Sequence, residues 1–511
     1  MRKTLIKFIL SLKVAILLSF NLTFAQAQIE KWEIFELTIM GSEDGNPFTD
    51  IKLSATFLNQ RDTFLVDGFY DGSGVYKIRF MPDKTGEWKY FTQSNNTKLD
   101  NLTGSFICTD EKADNSGPVR VKNTFHFQYA NGKPFLPMGT TSYAWVHQPD
   151  SVQKQSLQTL KNSPFNKIRM TVLPKYYSFN KREPQSYPFE KDNSGNWDFR
   201  KFNPAFFRNI ENRIQDLKDL GIEADLILFH PYDKGHWGFD RMGQDANQLY
   251  LEYIIARFSA YRNVWWSMAN EYDLMTNMSI DDWEVLFQVV EKKDPYGKLT
   301  SIHNGEINKF YDYNKPYITH VSLQYPGVEQ ALEWKQYNKP VINDECEYEG
   351  NLWFPWGNLT AEEFVHRAWI GYVYGIYVGH GETYYNDNTE YIWWSHGGVL
   401  KGKSPERLSF LKKIMYETSP DGIMEFDEGS WLWKRFPGGK SSDAYIYYFG
   451  DRQPANWNFY QGEEGVEYRA EVIDTWNMTT EEIEGRFTKG ESIPLPQKPR
   501  LALRIWEINS R

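Results

Sequence analysis

The sequence predicts a multidomain α/β protein, a (β/α)8 TIM barrel flanked by an N-terminal immunoglobulin-like β-sandwich and a C-terminal β-sandwich. Three observations carry that expectation. The chain has 511 residues, more than one ordinary core organises. Between Phe125 and Thr418, short apolar runs alternate with stretches that repeat apolar residues every three or four positions, the pattern of a parallel sheet with helical crossovers. On both sides of that region the texture changes to short alternating runs separated by turn residues.

Residues 1–27 read as an export signal. Arg2, Lys3 and Lys7 precede an apolar stretch from Val14 to Ala25, and Ala25-Gln26-Ala27 has the small-x-small form of a signal-peptidase site. The apolar run is too short to span a bilayer, and no cysteine follows it to accept a lipid. An exported, periplasmic or secreted chain without membrane insertion is expected.

Residues 28–116 are expected to form the immunoglobulin-like sandwich, with strands over Ile51 to Phe57, Val75 to Phe80 and Trp88 to Thr92. Pro82-Asp83-Lys84-Thr85-Gly86 supplies the turn between the last two, and Asp110 to Pro118 closes the unit. Residues 117–418 hold eight strand candidates: Phe135 to Tyr143, Asn166 to Leu173, Ala224 to His230, Val264 to Ala269, Leu299 to His303, His320 to Tyr325, Pro340 to Glu345, and Gly379 to Tyr385. Helical stretches fall between them, among them Pro204 to Leu220, Gln248 to Tyr261, Asp281 to Lys292 and Glu362 to Tyr374. Eight such units fit a barrel better than a doubly wound sheet. Residues 419–511 return to strands, over Trp431 to Phe436, Ala444 to Phe449, Glu467 to Asp474 and Leu501 to Ile508.

Composition excludes some partners and suggests one. A net charge of −10 without a basic run argues against nucleic acid and acidic membrane surfaces. The two cysteines, Cys108 and Cys346, fall in different expected domains, so no disulfide framework is being built. Aromatic residues make up 17% of the chain, with 19 Trp and 32 Tyr, many in loop-like stretches where flat rings could stack on sugar C–H faces. Sandwich cores are also rich in aromatics, so composition alone leaves a carbohydrate partner open.

A barrel enzyme works at the C-terminal ends of its strands. Polar, titratable residues gather there: Arg169 on the second strand, His230-Pro231-Tyr232 on the third, Asn270-Glu271-Tyr272-Asp273 on the fourth and His303-Asn304 on the fifth. The sixth ends in Gln324-Tyr325 and the seventh in Asn343-Asp344-Glu345-Cys346-Glu347. Hydrolysis of a glycosidic bond with retention needs one carboxyl to protonate the leaving oxygen and another, roughly 5 Å away, to attack the anomeric carbon. Strands four and seven face each other across a barrel of eight, so Glu271 and Glu345 can approach that separation from opposite sides of a sugar. Arg169 beside Glu345 would favour its charged form.

Trp265-Trp266-Ser267-Met268-Ala269-Asn270-Glu271 and Lys339-Pro340-Val341-Ile342-Asn343-Asp344-Glu345 resemble the catalytic strands of clan A glycoside hydrolases. More narrowly, Pro340 to Glu345 followed by Tyr348-Glu349-Gly350 is similar to the apiosidase-like group. The resemblance implies that Glu271, in the Asn-Glu pair ending strand four, is the acid/base and Glu345 the nucleophile, that Asn270 binds the sugar's 2-hydroxyl, that Tyr325 hydrogen-bonds the nucleophile, and that Arg169 and His230 support the floor. Many clan A enzymes end strand eight on a Trp platform, whereas here that end reads Glu382-Thr383-Tyr384-Tyr385-Asn386-Asp387, so Tyr384 or Trp393-Trp394 would have to substitute. Arg169, His230, Asn270, His303, Tyr325, Glu347, Tyr384 and Trp394 form the expected substrate-binding set.

Glu347 rivals Glu345, since strand alternation points both the same way if the strand continues. Asp273 and Glu382 read as structural or substrate-binding. Cys346 reads as a buried inert thiol. His230 and His236 lack metal-ligand spacing and Asp192 to Asp198 lacks the closing glutamate of a calcium loop, so neither metal nor cofactor is expected. The insertion from Lys175 to Arg200, with Tyr176, Tyr177, Tyr187 and Trp197, could wall the cleft together with Trp353-Phe354-Pro355-Trp356, or pack on the neighbouring β domain. The function expected is retaining hydrolysis of a plant or algal polysaccharide side chain or oligosaccharide. The alternative is an inactive glycan-binding barrel.

Overall fold

The computed structural model describes residues 26–60, 62–385, 391–426 and 437–508. Residues 1–25 of the expected export segment and the strand expected over Trp431 to Phe436 lie outside the described residues.

Eight parallel strands occupy the central region. They are β1 (Gly139–Thr141), β2 (Lys167–Thr171), β3 (Glu223–Phe229), β4 (Val264–Ala269), β5 (Thr300–Ser301), β6 (Val321–Gln324), β7 (Val341–Glu345) and β8 (Tyr377–Val378). They fall into a five-stranded sheet, β1 to β5 in sequence order, and a three-stranded sheet, β6-β7-β8. An isolated parallel bridge, Thr140 to His380, links β1 to the chain just after β8. At the other edge Thr319 N–H donates to Thr300 O at 2.9 Å. Every residue of β2, β3, β4 and β7 is buried, which is why these strands read as near-continuous runs.

Capping chemistry sets the crossover helices. Asn203 accepts from Ala205 N–H ahead of Pro204–Asp219, and Pro204 occupies the first turn, where its missing N–H costs nothing. Ser279 and Asp282 form a reciprocal capping box for Ile280–Lys293, with Lys292 and Lys293 in its last turn.

Two strands depart from expectation. The first splits: Pro134–Phe135 pairs with His126–Tyr129, and β1 starts only after Pro137, which has no N–H for a ladder. The eighth lies at Tyr377–Val378, ahead of the expected Gly379 to Tyr385. Gly379 passes so close to β7 that an added Cβ would sit 2.5 Å from the Asp344 carbonyl oxygen. Beyond it, Glu382–Thr383 pairs in parallel with Glu349–Gly350.

N-terminal to the parallel region, a five-stranded sheet, ordered 28–30, 103–109, 86–94, 53–59 and 62–67, shares a core with a three-stranded sheet of Phe35–Met40, Val75–Phe80 and Phe69–Tyr70. Phe57 stacks on Phe80 at 4.2 Å and Phe35 on Phe106 at 4.3 Å between ring centroids. Arg79 of this unit donates to Glu211 Oε1 at 2.6 Å, and Arg257 donates to Asp71 Oδ1 at 2.8 Å, joining it to two crossover helices. C-terminally, an antiparallel sheet of six strands packs one face on helix Ala361–Val373 through Tyr448, and a two-stranded ribbon lies with it. No helix among the described residues is long and apolar enough to cross a membrane.

Candidate active site

Side chains from the ends of β2, β4 and β7 meet over a floor of buried charge. Lys167 Nζ donates to Asp225 at 2.7 Å and to Asp344 at 2.9 Å, while the fully buried Arg169 stands above them. Arg169 Nη1 donates to Glu345 Oε1 at 3.0 Å and Nη2 to Asn270 Oδ1 at 3.0 Å, so one guanidinium spans the ends of β4 and β7. A planar fork is suited to holding two acceptors in fixed geometry.

Glu345 ends β7, and three groups converge on its Oε1. Besides Arg169, the Tyr143 hydroxyl donates to it and His303 Nε2 lies 3.3 Å away. His303 Nδ1 in turn lies 3.1 Å from Ser322 Oγ, which donates to Asp344 at 2.7 Å. Burial would raise the Glu345 pKa, but His303, Arg169 and the Tyr143 hydroxyl outweigh it and hold the carboxyl well below its usual range. Glu345 is therefore ionised.

Glu271 follows β4 in a left-handed conformation, φ 54°, which a non-glycine residue adopts only under local constraint. Tyr232 donates to its Oε2. Burial first, and the Glu345 charge next, push its pKa well above the carboxyl range, against the pull of Lys175. Glu271 thus keeps its proton where Glu345 does not.

The two carboxylates line one cavity of about 330 Å³, with Tyr177, Phe179, Tyr232, Tyr348, Phe354, Trp356 and Trp394 among its walls. Trp394 comes from the short helix Trp393–His396, and its ring centroid lies 5.5 Å from that of Tyr143. Asn270 Nδ2 is buried and has no partner among the described residues, although its Oδ1 is held by Arg169. His230 is buried and held neutral, its pKa lowered to about 3 by burial, with Nε2 on Leu173 O and Nδ1 accepting from Tyr232 N–H.

Other expected residues fall elsewhere. Tyr325 is a correction: its backbone N–H donates to the Glu345 carbonyl, but its ring packs on Phe310 and Trp334, and the phenol on Glu345 belongs to Tyr143. A register shift between Leu323 and Gln324 breaks the alternation there. Tyr384 donates to Glu349 at 2.9 Å and is not among the cavity walls. Glu347 reaches the cavity, but β7 has already ended; its φ is 72° and its carboxylate pairs with Arg367 at 2.9 Å. Asp273 receives the N–H groups of Gly305 and Glu306, and Glu382 those of Lys401 and Gly402. Burial pushes the Cys346 thiol up to about 12, so it stays protonated.

The insertion does both of the things expected of it. Tyr177 and Phe179 wall the cavity, while Tyr187 and Trp197 pack on each other and Arg200 O accepts from Asn46 of the N-terminal unit. Asp192 closes a plain turn by accepting from Ser194 and Asn196 N–H. Tyr143 and Lys175 were not singled out from sequence, and Tyr232 was named there only as part of the end of the third strand, with no role. Tyr143 sits just past the end of β1, where the rule that selected the others would have found it; Lys175 gave no signal beyond its tyrosine neighbours.

The family profile "Apiosidase-like, catalytic domain" matches residues 121–403. Two profiles described as domains of unknown function, DUF5060 and DUF5605, match residues 28–95 and 433–506. A Bacteroides vulgatus protein assigned as a glycoside hydrolase is 40% identical, with a TM-score of 0.89 over 94% of this chain and 100% of its own. A family 5 glycoside hydrolase from the same species is 16% identical, with a TM-score of 0.60 over 76% of this chain and 93% of its own, a likeness of fold. No functionally curated protein matches the chain.

Proposed function

The chain belongs to the apiosidase-like family and is a glycoside hydrolase, and on that premise we propose that it cleaves by double displacement, with Glu345 as nucleophile and Glu271 as acid/base. The observation that carries this reading is the pair of carboxyl groups in one cavity, one held ionised and the other protonated. Glu345 attacks the anomeric carbon while Glu271 gives its proton to the departing glycosidic oxygen, leaving a glycosyl ester on Glu345. Glu271, now a carboxylate, takes a proton from water, and the hydroxide attacks the same carbon, releases the sugar and returns Glu345 to its anionic form. The free amide N–H of Asn270 would donate to the 2-hydroxyl, and Trp394 and Trp356 would offer the faces on which a pyranose stacks.

The same reading takes the two parallel sheets as one (β/α)8 barrel closed through Thr140 and His380, and the N-terminal sheets as immunoglobulin-like. It sets the domain limits at residues 28–116, 117–418 and 419–511; each family profile falls inside one of them. The substrate would be a plant or algal polysaccharide side chain or an oligosaccharide, met outside the cytoplasm after cleavage following Ala27.

The test is an activity screen of the mature protein against plant and algal cell-wall glycans, with released sugars identified and their anomeric configuration followed. Wild type should release a sugar with retained configuration, and Glu271→Gln and Glu345→Gln should each be slower by on the order of a thousandfold. Inverted product would sink double displacement; binding of a glycan without release by any form would favour the inactive barrel.

A further inference from the structure

Lys175 is a buried cation beside both carboxyl groups, and the reaction scheme gives it no task. It lies four residues after β2, at the start of the insertion, and is only 2% exposed. Its Nζ stands 3.5 Å from the ring centroid of Tyr143, 4.0 Å from that of Tyr232, 4.4 Å from that of Tyr177 and 5.3 Å from that of Trp394. Among the described residues no hydrogen-bond acceptor is paired with this ammonium; aromatic faces surround it instead. Burial, helped by the Arg169 charge, pulls its pKa down to about 7 against Glu271 and Glu345, which act to keep the proton, so Lys175 is an ammonium on the acidic side of neutrality. The negative faces of the rings add to that retention.

Two of those rings are the phenols that hold the reacting carboxyl groups. Tyr143 donates to Glu345 and Tyr232 donates to Glu271. A cation on a phenol's face draws electron density from the ring and makes its O–H a stronger donor, and a hydrogen bond to an anion strengthens accordingly. A lysine serving only as packing would extend its stem along the rings and carry its head to water. Here the whole residue is 2% exposed and its Nζ lies over the faces of Tyr143 and Tyr232.

We propose that Lys175 is a positioning residue of the reaction, whose ammonium, stacked on Tyr143 and Tyr232 at once, polarises both phenols and couples the two carboxyl groups electrostatically. The proposal rests on the double-displacement reading. The titratable groups facing Lys175 are Tyr143, Tyr177 and Tyr232 on its rings, and Glu271 and Glu345 beyond them. Arg169 and His230 complete the set; both carry or would carry like charge, and Lys175 disfavours protonation of His230.

The experiment is a carboxyl-carbon NMR titration of the substrate-free protein, comparing wild type with Lys175→Met and Lys175→Arg, and assigning signals with Glu271→Gln and Glu345→Gln. Removing the cation should move the midpoints of both Glu271 and Glu345 to higher pH by about one pH unit, and the arginine variant should restore most of the difference. Midpoints in Lys175→Met that coincide with wild type would overturn the proposal. Should that variant fail to fold, the charge of Lys175 in the wild type decides the matter: an amine already neutral at mildly acidic pH overturns it, and an ammonium there upholds it. Failure of double displacement would appear separately, as inverted product from a protein whose carboxyl midpoints still respond to Lys175.

Discussion

Tyr143 and Tyr232 divide the work of holding the site, one phenol to each carboxyl group. On the double-displacement reading Glu345 must be ionised and Glu271 protonated, and the signs of the pH dependence follow from that. Activity should be lost as pH rises through the raised pKa of Glu271, about 8, and lost again as pH falls through the lowered pKa of Glu345. Tyr143→Phe removes one of three groups that favour the charged form of Glu345, so the acidic limb should move to higher pH. The same change should cost tenfold to a hundredfold in kcat/KM, about 1.5–3 kcal/mol for a hydrogen bond to a charged group. A kcat/KM profile against pH for the two proteins checks both statements; an unmoved acidic limb would remove Tyr143 from the site.

At the scale of elements, the chain after β8 is tied down by carboxylates that sequence could not separate from catalytic ones. Glu349 is completely buried, and it accepts from Lys403 N–H at 2.8 Å, Ser404 N–H at 3.0 Å and the Tyr384 hydroxyl. It therefore sits at the N-terminus of helix Ser404–Thr418, where a negative charge meets unpaired N–H groups. Glu349→Ala would orphan three donors, and the expected loss is about 3–5 kcal/mol in denaturant unfolding, with Glu349→Gln losing less. A loss below about 1 kcal/mol would mean that the segment is held by other contacts. The helices themselves were legible, because apolar spacing and caps such as Ser279 with Asp282 are local. The eighth strand was displaced because Gly379 is dictated by the neighbouring Asp344 backbone, which local pattern does not contain.

At the scale of the molecule, the N-terminal unit is joined to the parallel region by buried charge. Glu211 Oε1 receives both Arg79 Nη1 at 2.6 Å and Arg257 Nε at 2.8 Å, and Asp71 receives Arg257. Two guanidiniums from different units thus share one carboxylate away from water. Glu211→Ala would leave Arg79 with Glu36 and Arg257 with Asp71 as their remaining carboxylate partners, with buried N–H groups unmet, and should cost about 1–3 kcal/mol. Calorimetry should show the N-terminal unit and the parallel region melting together in the wild type and separating in the variant. A single unchanged transition would show that this network does not couple the units.

Sequence by itself determined the order of strands and helices, the change of texture at each end of the central region, and the presence of two glutamates at the ends of β4 and β7. Those features are written in local periodicity and in residues whose chemistry depends on identity. Tertiary structure alone decided which phenol meets Glu345, that Glu349 and Glu382 clamp backbone, and that Lys175 is enclosed by rings contributed by three segments. The physical reason is that charge state and hydrogen-bond partners are set by distance in space. Tyr143 and Glu345 are 202 positions apart in the chain, yet they share one proton donor and one acceptor.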